Sequence, residues 1–469
     1  RQAQDPEALF YFLEKARARL LIDELSANRA TELLPTDIRQ QLTTITQEVR
    51  LYPEDPLKLD RFRQLQDSIL QAYPNYARQR LGSPPPALQT LPDVLAGREL
   101  VEYYVSDSTT IALTYSKSQG FFLTQLVEPA VWRPLLTQYR EQLTDPDAKV
   151  DPELPLRLYQ ELLAPLPLTS KHDLVIIPDG ELYLLPFSAL ITERPPVNAP
   201  YQQWSWLANA HKVGYGFSSQ LLDQARRQQP SGNGKALAIA PVARIASDDQ
   251  LNPQLELPAT LLTVRHLASR FPTDTLINAA ASHAAFRESA DAYSLLHLGT
   301  HAYLDGAGSF LLRGSNNNRY TSNDLLSHQL NAELVVIGAC ETGLGKQLLG
   351  EGVASLGRGF ARRGAAGLIM SLWSINDAAT ADLLNLTYDG LAEGQGPTTA
   401  LQSAGATYRN NSTNPRFGHP YFWAGLVHYG QDEPLSLVQK ASWLVPAALV
   451  LFVLFGLLYF LARRRSTRQ

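Results

Sequence analysis

The feature that most constrains the fold is a series of short apolar runs in the second part of the chain. From residue 173 onward the runs LVIIPDGELYLLPF, ALAIAP, SLLHLGTH, LVVIGAC, GLIMSLW and AGLVHYG are separated by segments of helical composition. Continuous runs of Val, Ile and Leu are typical of strands covered on both faces, and their alternation with helices is typical of a parallel sheet. The sequence therefore predicts an α/β fold with a mostly parallel sheet flanked by helices.

Two of these runs end in small residues followed by a chemically active side chain. SLLHLGTH ends at His301, and LVVIGAC ends at Cys340, the only cysteine in the chain. The carboxyl ends of parallel strands form the edge of the sheet where α/β proteins bind ligands. An imidazole at this edge can take the proton of a thiol, whose thiolate form is the nucleophile, and return it to a leaving group. Either residue taken alone fits ordinary core packing, but the matched pair predicts a His301–Cys340 dyad.

Composition argues against several other functions. The formal net charge is −4, with 41 basic and 45 acidic residues, which is not typical of a general nucleic-acid binder. One cysteine excludes an intramolecular disulfide and a cysteine-based structural zinc site. His297 and His301 on one strand would lie about 13 Å apart, too far to share a metal. We therefore expect no metal, no cofactor and no nucleic-acid partner, and we interpret His297 as a residue that supports the site.

The C-terminal segment predicts a membrane anchor. Residues 442–462 are 21 residues without a charge, enough to cross a hydrocarbon core of about 30 Å as a helix. Lys440 precedes the segment, and the arginines of the basic tail 463–469 follow it. The positive-inside rule favours a cytoplasmic tail and a large domain outside the cytoplasm, a topology that requires a signal peptide. We expect a single-pass membrane protein, and the side of the membrane on which the large domain lies stays open.

The chain before residue 173 predicts helices first and then a small antiparallel unit. Apolar residues recur at helical spacing in the N-terminal region, and SPPP forms a stiff linker after it. Alternating apolar and polar residues then predict antiparallel strands. The predicted helices are 34–51, 56–73, 131–143 and 156–163, and the predicted strands are 99–105, 109–115 and 121–126.

Several motifs in a fixed order resemble the CHAT domain of the caspase/separase-type cysteine peptidases. They are HLGTHAYLD, VVIGACETGLG, GEGVASLGRGFARRGAAGLIMSLWSINDAATADLL and GHPYFWAGLVHYG, preceded by LVIIPDGELYLLPFSAL and SWLANAHKVGYGFSSQLL. FLEKARARLLIDEL is similar to the helix that follows tetratricopeptide repeats in proteins that carry both modules. The residue patterns and the resemblance together predict five segments. They are a helical region that ends a repeat array (1–82), a linker with a small strand and helix segment (83–165), the CHAT domain (166–431), the transmembrane helix (442–462) and the basic tail (463–469).

The resemblance also implies roles for individual residues. His301 would be the general base and Cys340 the nucleophile, with an oxyanion hole formed by the backbone N–H groups of Cys340 and Ala302. The family usually has glycine at position 302, and a positive φ there would strain an alanine. Asp377, preceded by Asn376, matches an acidic residue beside the S1 pocket, and an acidic pocket would favour a basic P1 residue. The alternative is that Asp377 is the N-cap of the helix that follows it.

These features together predict a membrane-anchored CHAT-type cysteine endopeptidase that acts in a bacterial signalling, stress or defence pathway. The expected partners are a protein or peptide substrate, a regulatory protein bound by the helical N-terminal region, and the membrane. Two alternatives stay open. One is an interaction scaffold in which the dyad is idle, and the other is a Cys–His amidase or acyltransferase that shares the covalent thioester step.

Overall fold

The computed structural model describes residues 10, 11, 14, 33–51, 55–73, 88–169, 172–227, 232–245, 251–303, 308–314, 318–322, 324–338, 346–348, 352–354, 356–411 and 414–437. Its helices are α1 Thr36–Leu51, α2 Pro56–Ala72, α3 Leu91–Leu95, α4 Pro129–Thr144, α5 Glu153–Leu162, α6 Leu207–Ala210, α7 Ser219–Arg227, α8 Pro258–Arg270, α9 His283–Ser289, α10 Leu356–Arg362, α11 Asp377–Ala392, α12 Pro397–Asn411 and α13 Pro420–Trp423. Its strands are β1 Glu99–Val105, β2 Thr110–Ser116, β3 Gly120–Gln125, β4 Leu174–Ile177, β5 Val213–Tyr215, β6 Ala236–Ala240, β7 Thr273–Ile277, β8 Leu295–Leu298, β9 Ala302–Tyr303, β10 Ser309–Leu311, β11 Arg319–Thr321, β12 Leu334–Ile337, β13 Lys346–Leu348, β14 Gly352–Ala354, β15 Leu368–Ser371 and β16 Leu426–Tyr429.

One large sheet organises the described part of the chain. Its 11 strands lie in the order β3-β2-β1-β4-β5-β16-β15-β12-β8-β6-β7. The five strands from β15 to β7 run parallel to one another, and so do β1, β4, β5 and β16. The two parallel blocks meet at the antiparallel pair β15–β16. The mostly parallel sheet and its flanking helices fit the predicted α/β architecture.

The burial of the strands explains why most of them could be predicted. Every residue of β4, β6, β8, β12, β15 and β16 is buried, and such strands require continuous apolar runs. Strand β7 has the sequence TDTLI and lies half-exposed at the edge of the sheet. Strand β5 is only three residues long. Neither strand gives the apolar run on which the prediction depended.

The antiparallel unit before residue 173 forms as predicted and joins the large sheet. Strands β1, β2 and β3 make an antiparallel meander. Strand β1 also pairs in parallel with β4, and Leu100 lies opposite Val175. The meander is therefore continuous with the sheet that carries the dyad strands, rather than packed separately beside it.

The N-terminal region contacts the α/β domain through two buried side chains. Phe10 is 1% exposed and lies edge-on to Phe121 of β3, with 6.1 Å between the ring centroids. The carboxylate of Glu14 accepts the N–H groups of Ser219 (3.0 Å) and Gln220 (2.8 Å), the first two residues of α7. A carboxylate at this position satisfies helix N–H groups that have no partner within the helix.

The prediction of a transmembrane helix and of a single-pass membrane localisation is corrected by the structure. None of the helices in the described residues is long and apolar enough to cross a membrane. The longest of these helices is α2, with 17 residues and charged side chains along its length, whereas a span needs about 20 predominantly apolar residues. The predicted segment 442–462 and the basic tail 463–469 lie outside the described residues.

Candidate functional site

The two strands predicted to carry the dyad are adjacent, parallel and in register. Leu298, the last residue of β8, lies opposite Ile337, the last residue of β12. His301 follows the end of β8 by three residues, and Cys340 follows the end of β12 by three residues. Cys340 itself lies outside the described residues. The structure thus brings together the two strand ends from which His301 and Cys340 extend.

A hydrogen-bonded floor of small residues closes these strand ends. The N–H of Gly338 donates to the carbonyl oxygen of Leu298 at 3.0 Å, which continues the β8–β12 ladder one residue beyond the strands. The N–H of Gly299 donates to the carbonyl oxygen of Ile239 in β6 at 2.8 Å. A Cβ atom at Gly299 would lie 3.0 Å from Cβ of Thr260. A methyl group at position 299 would therefore require Thr260 to move by a few tenths of an ångström.

His297 packs directly beneath the strand ends. It is 1% exposed, and its Nδ1 shares a hydrogen bond of 2.8 Å with the hydroxyl of Tyr388 in α11. Burial lowers the pKa of His297 to about 4, so the ring is neutral at physiological pH. The Nε2 atom lies 3.2 Å from the position of a Cβ at Gly299. These contacts fit a residue that supports the site without exchanging protons.

His301 is held in one tautomer by a backbone carbonyl. Its Nε2 lies 2.9 Å from the carbonyl oxygen of Leu255, which precedes α8. Because a carbonyl oxygen only accepts hydrogen bonds, Nε2 must carry the proton of this bond. In the neutral imidazole Nδ1 then keeps its lone pair. The half-buried ring of His301 is therefore prepared to accept a proton at Nδ1.

The residue after His301 presents its backbone N–H away from the neighbouring strand. Ala302 lies opposite Phe310 of β10, and the N–H of Leu311 donates to the carbonyl oxygen of His301 at 2.8 Å. In an antiparallel pair hydrogen-bonded and non-hydrogen-bonded positions alternate, so the Ala302 N–H points out of the β9–β10 ladder. Ala302 is also extended, without a positive φ. The strain that a positive φ would cause is absent at this alanine.

Asn376 and Asp377 have different structural roles. The side chain of Asn376 is the N-cap of α11, where it accepts the N–H of Ala379 at 3.2 Å. Asp377 is the first helical residue, so the alternative that Asp377 caps this helix is wrong. Its carboxylate instead accepts the N–H of Ala259 at 3.0 Å, in the first turn of α8.

The carboxylate of Asp377 lies within electrostatic reach of His301. Burial raises the pKa of Asp377 above its ordinary value of 3.8, while the hydrogen bond from Ala259 and the charge of His301 act in the opposite direction. The segment from Leu255 to Ala259 links the two side chains, because it provides the carbonyl that binds His301 and the N–H that binds Asp377. Asp377 thus adds a partly desolvated negative charge beside the imidazole.

Sequence reasoning missed the part played by this segment. The only feature of residues 255–259 that sequence reasoning could use is Pro258, which marks the start of a helix because it occupies the first position of α8, where proline is favoured.

Within the described residues, no cluster of three or more His, Cys, Asp and Glu side chains could hold a metal ion.

Comparison with known proteins identifies the family. The family model of the CHAT domain matches residues 153–431, more than half of the chain. The chain belongs to the CHAT domain family. It is also similar to Tetratricopeptide repeat protein 28 from Homo sapiens, at 32% identity over 125 residues, and to the same protein from Mus musculus, at 30% identity over 125 residues. Each match covers 26% of this chain and only 5% of the length of the relative.

Two solved structures are similar to part of this chain. The Saccharomyces cerevisiae separase–securin complex has a TM-score of 0.46 and 10% identity, covering 86% of this chain and 34% of that chain. The Arg-specific cysteine proteinase gingipain R has a TM-score of 0.38 and 11% identity, covering 61% of this chain and 67% of that chain. The family assignment rests on the match over residues 153–431.

Gly299 and Gly338 make a matched pair for testing the floor of the site. We expect Gly299→Ala to reduce the free energy of unfolding by about 1–3 kcal/mol, because the new methyl group must displace Thr260 and His297. Gly338→Ala should change it by less than about 1 kcal/mol, because its nearest contacts, at 3.5 Å or more, are ordinary. Urea unfolding of both variants measures the difference. Equal losses in the two variants would contradict this packing.

The raised pKa of Asp377 predicts a specific pH dependence of stability. Because folding raises this pKa above 3.8, the folded state binds more protons than the unfolded state, and ionisation of Asp377 destabilises the fold as the pH rises. Asp377→Asn stays neutral and keeps an oxygen for the N–H of Ala259. We therefore expect Asp377→Asn to be more stable than the wild type at pH 7, with the difference vanishing below pH 3.8.

The neighbouring cap provides the control for this pH series. Asn376→Ala should lose about 1 kcal/mol at every pH, because it removes a helix cap without changing a charge. Denaturant unfolding between pH 3 and pH 8 measures both variants. A wild type that is more stable than Asp377→Asn at pH 7 would show that the carboxylate stabilises the fold.

Proposed function

We propose that the CHAT domain of this chain is a cysteine endopeptidase that uses His301 and Cys340 as a dyad. The observation that carries the proposal is the register of β8 and β12, in which Leu298 lies opposite Ile337. His301 and Cys340 follow these paired residues at the same offset in the sequence. Two segments of the chain that leave adjacent parallel strands at the same level reach the same region above the sheet edge.

The proposed reaction begins with proton transfer. Nδ1 of His301 takes the proton of the Cys340 thiol, since Nε2 is already engaged with Leu255. The thiolate attacks the carbonyl carbon of the scissile peptide bond, and the carbonyl oxygen becomes an oxyanion. The N–H groups of Ala302 and Cys340 would donate to this oxyanion. The outward direction of the Ala302 N–H supports its part in this arrangement.

The second half of the reaction releases both products. The imidazolium of His301 gives its proton to the leaving amine as the carbon–nitrogen bond breaks, which leaves a thioester on Cys340. His301 then takes a proton from water, and the resulting hydroxide attacks the thioester. The attack gives a tetrahedral intermediate. Its collapse breaks the carbon–sulfur bond, returns the proton from His301 to the sulfur and releases the carboxylic acid. The dyad is regenerated without a cofactor.

Substrate preference in this proposal depends on Asp377. Its carboxylate is partly desolvated, carries negative charge near His301 and has no role in capping α11. A basic P1 side chain would neutralise that charge, so we propose a preference for Arg or Lys at P1. The helical N-terminal region would bind a regulatory protein. A role in a bacterial signalling, stress or defence pathway stays a prediction.

Covalent labelling tests the proposed dyad. We expect an arginine-directed electrophilic peptide to label the wild type at Cys340, because its thiol is activated, and not to label Cys340→Ala. His301→Ala should reduce the labelling rate by about 100-fold or more, since it removes the base. His211→Ala is the control, because the side chain of this half-buried histidine precedes β5 and hydrogen-bonds to the carbonyl oxygen of His172 rather than to the dyad strands. Mass spectrometry of the labelled full chain gives the rate and the site.

The outcomes separate the proposed peptidase from its alternatives. Labelling together with cleavage of an arginine-containing peptide supports the peptidase. Labelling with transfer of the acyl group to an added amine, and without hydrolysis, indicates an acyltransferase. If neither basic nor non-basic probes label Cys340 in the folded chain, the peptidase is contradicted and the scaffold is favoured.

A further inference from the structure

A second candidate site lies beneath α12, on the other parallel block of the sheet. A cleft that is partly open to solvent is bounded by α12, by β5 and β16, and by the region of α6. Strand β16 is separated from β8 by β15 and β12, which is about 14 Å at the usual strand spacing. The cleft is therefore distinct from the strand ends that carry His301 and Cys340.

The cleft contains a buried arginine whose donors are only partly used. Arg409 of α12 is 2% exposed. Its Nη2 donates to Oδ1 of Asn209 at 2.5 Å, and its guanidinium carbon lies 4.5 Å from the centroid of the Trp423 ring. Nε and Nη1 are buried and have no hydrogen-bond partner among the described residues. These two nitrogens carry three of the five N–H donors of a guanidinium.

The positive charge of Arg409 is not offset by an acidic neighbour in the cleft. None of the described residues that line the cleft is an Asp or a Glu. Burial alone lowers the pKa of Arg409 to about 10, so the guanidinium is still charged at neutral pH. His428 also lines the cleft, but burial lowers its pKa to about 4 and leaves it neutral. A buried charge without a partner is costly, and an anionic ligand would remove that cost.

The other polar group of interest in the cleft is an unused acceptor. Gln402 lies two turns before Arg409 on α12, so both side chains are on the same face of the helix. Its Nε2 donates to the carbonyl oxygen of Val213 at 2.7 Å, and its Oε1 is buried without a partner in the described part of the chain. The remaining walls include the apolar side chains of Leu401 and Leu426.

We infer that this cleft binds a small organic monocarboxylate that also carries a hydrogen-bond donor. Arg409 would hold the carboxylate through Nε and Nη1, a geometry that suits a guanidinium. Gln402 would accept the donor through Oε1, and the apolar walls would contact the carbon skeleton. A single charged residue matches a monoanion better than a multiply charged phosphate. The inference does not depend on the proposed peptidase activity.

Calorimetric titration of the full chain with sodium lactate tests this inference. Lactate carries one carboxylate and one hydroxyl donor, whereas acetate carries only the carboxylate. Both titrations are made at the same ionic strength. We expect saturable 1:1 binding of lactate and about 3- to 10-fold weaker binding of acetate, since one hydrogen bond is lost. Gln402→Met should remove this preference, because lactate and acetate then make the same contacts.

Substitutions at arginine positions provide the remaining controls. Arg409→Lys keeps the charge but loses the fork of donors, and we expect it to weaken lactate binding by about 10-fold or more. Arg416→Met changes an exposed arginine that pairs with Asp147 and should bind lactate like the wild type. The inference is overturned if folded wild type does not bind lactate, if Arg409→Lys binds it unchanged, or if phosphate or chloride binds as tightly as lactate.

Discussion

The candidate site depends on the parallel pairing of β8 with β12. Both strands are fully buried, so the apolar side chains of LLHL and LVVI fix which residues lie opposite one another. A slip by one residue would turn every side chain of a strand to the other face of the sheet. The pair Leu298–Ile337 therefore sets the level at which each chain leaves the sheet, and with it the starting points of the segments that carry His301 and Cys340. His297, beneath these strand ends, is held neutral by the same burial.

Much of this arrangement could be predicted from the sequence, because a buried parallel strand is visible as a short apolar run. The contacts that orient the side chains could not, because they join residues distant in the chain. His301 and Leu255 are 46 residues apart, and Asp377 and Ala259 are 118 residues apart. The cap of α11 was ambiguous because Asn376 and Asp377 are both good capping residues and stand side by side. The transmembrane prediction rested on an uncharged apolar run with basic residues on both sides, and no helix of the described residues supports it.

Two charged side chains, the half-buried Asp377 and the buried Arg409, stand at the two candidate sites of the domain. Asp377 stands beside His301 at the edge where β8 and β12 end, and Arg409 lies under α12 beside β5 and β16. Burial acts against the charged form of both groups. Charged side chains kept at such a cost to stability are typical of positions that bind something, since functional sites often oppose the stability of the fold. In this account the two blocks of the sheet carry separate sites, one for a peptide and one for a small carboxylate.

The convergence of the two strand ends is tested most directly by chemical cross-linking, because the chain has a single native cysteine. His301→Cys would place a second thiol at the proposed base. A short reagent with two thiol-reactive arms should then bridge positions 301 and 340 in one molecule, and mass spectrometry should detect one bridging adduct. Tyr293→Cys, which precedes β8 at its other end, should give two separate adducts instead. Two separate adducts in the His301→Cys protein as well would contradict the account.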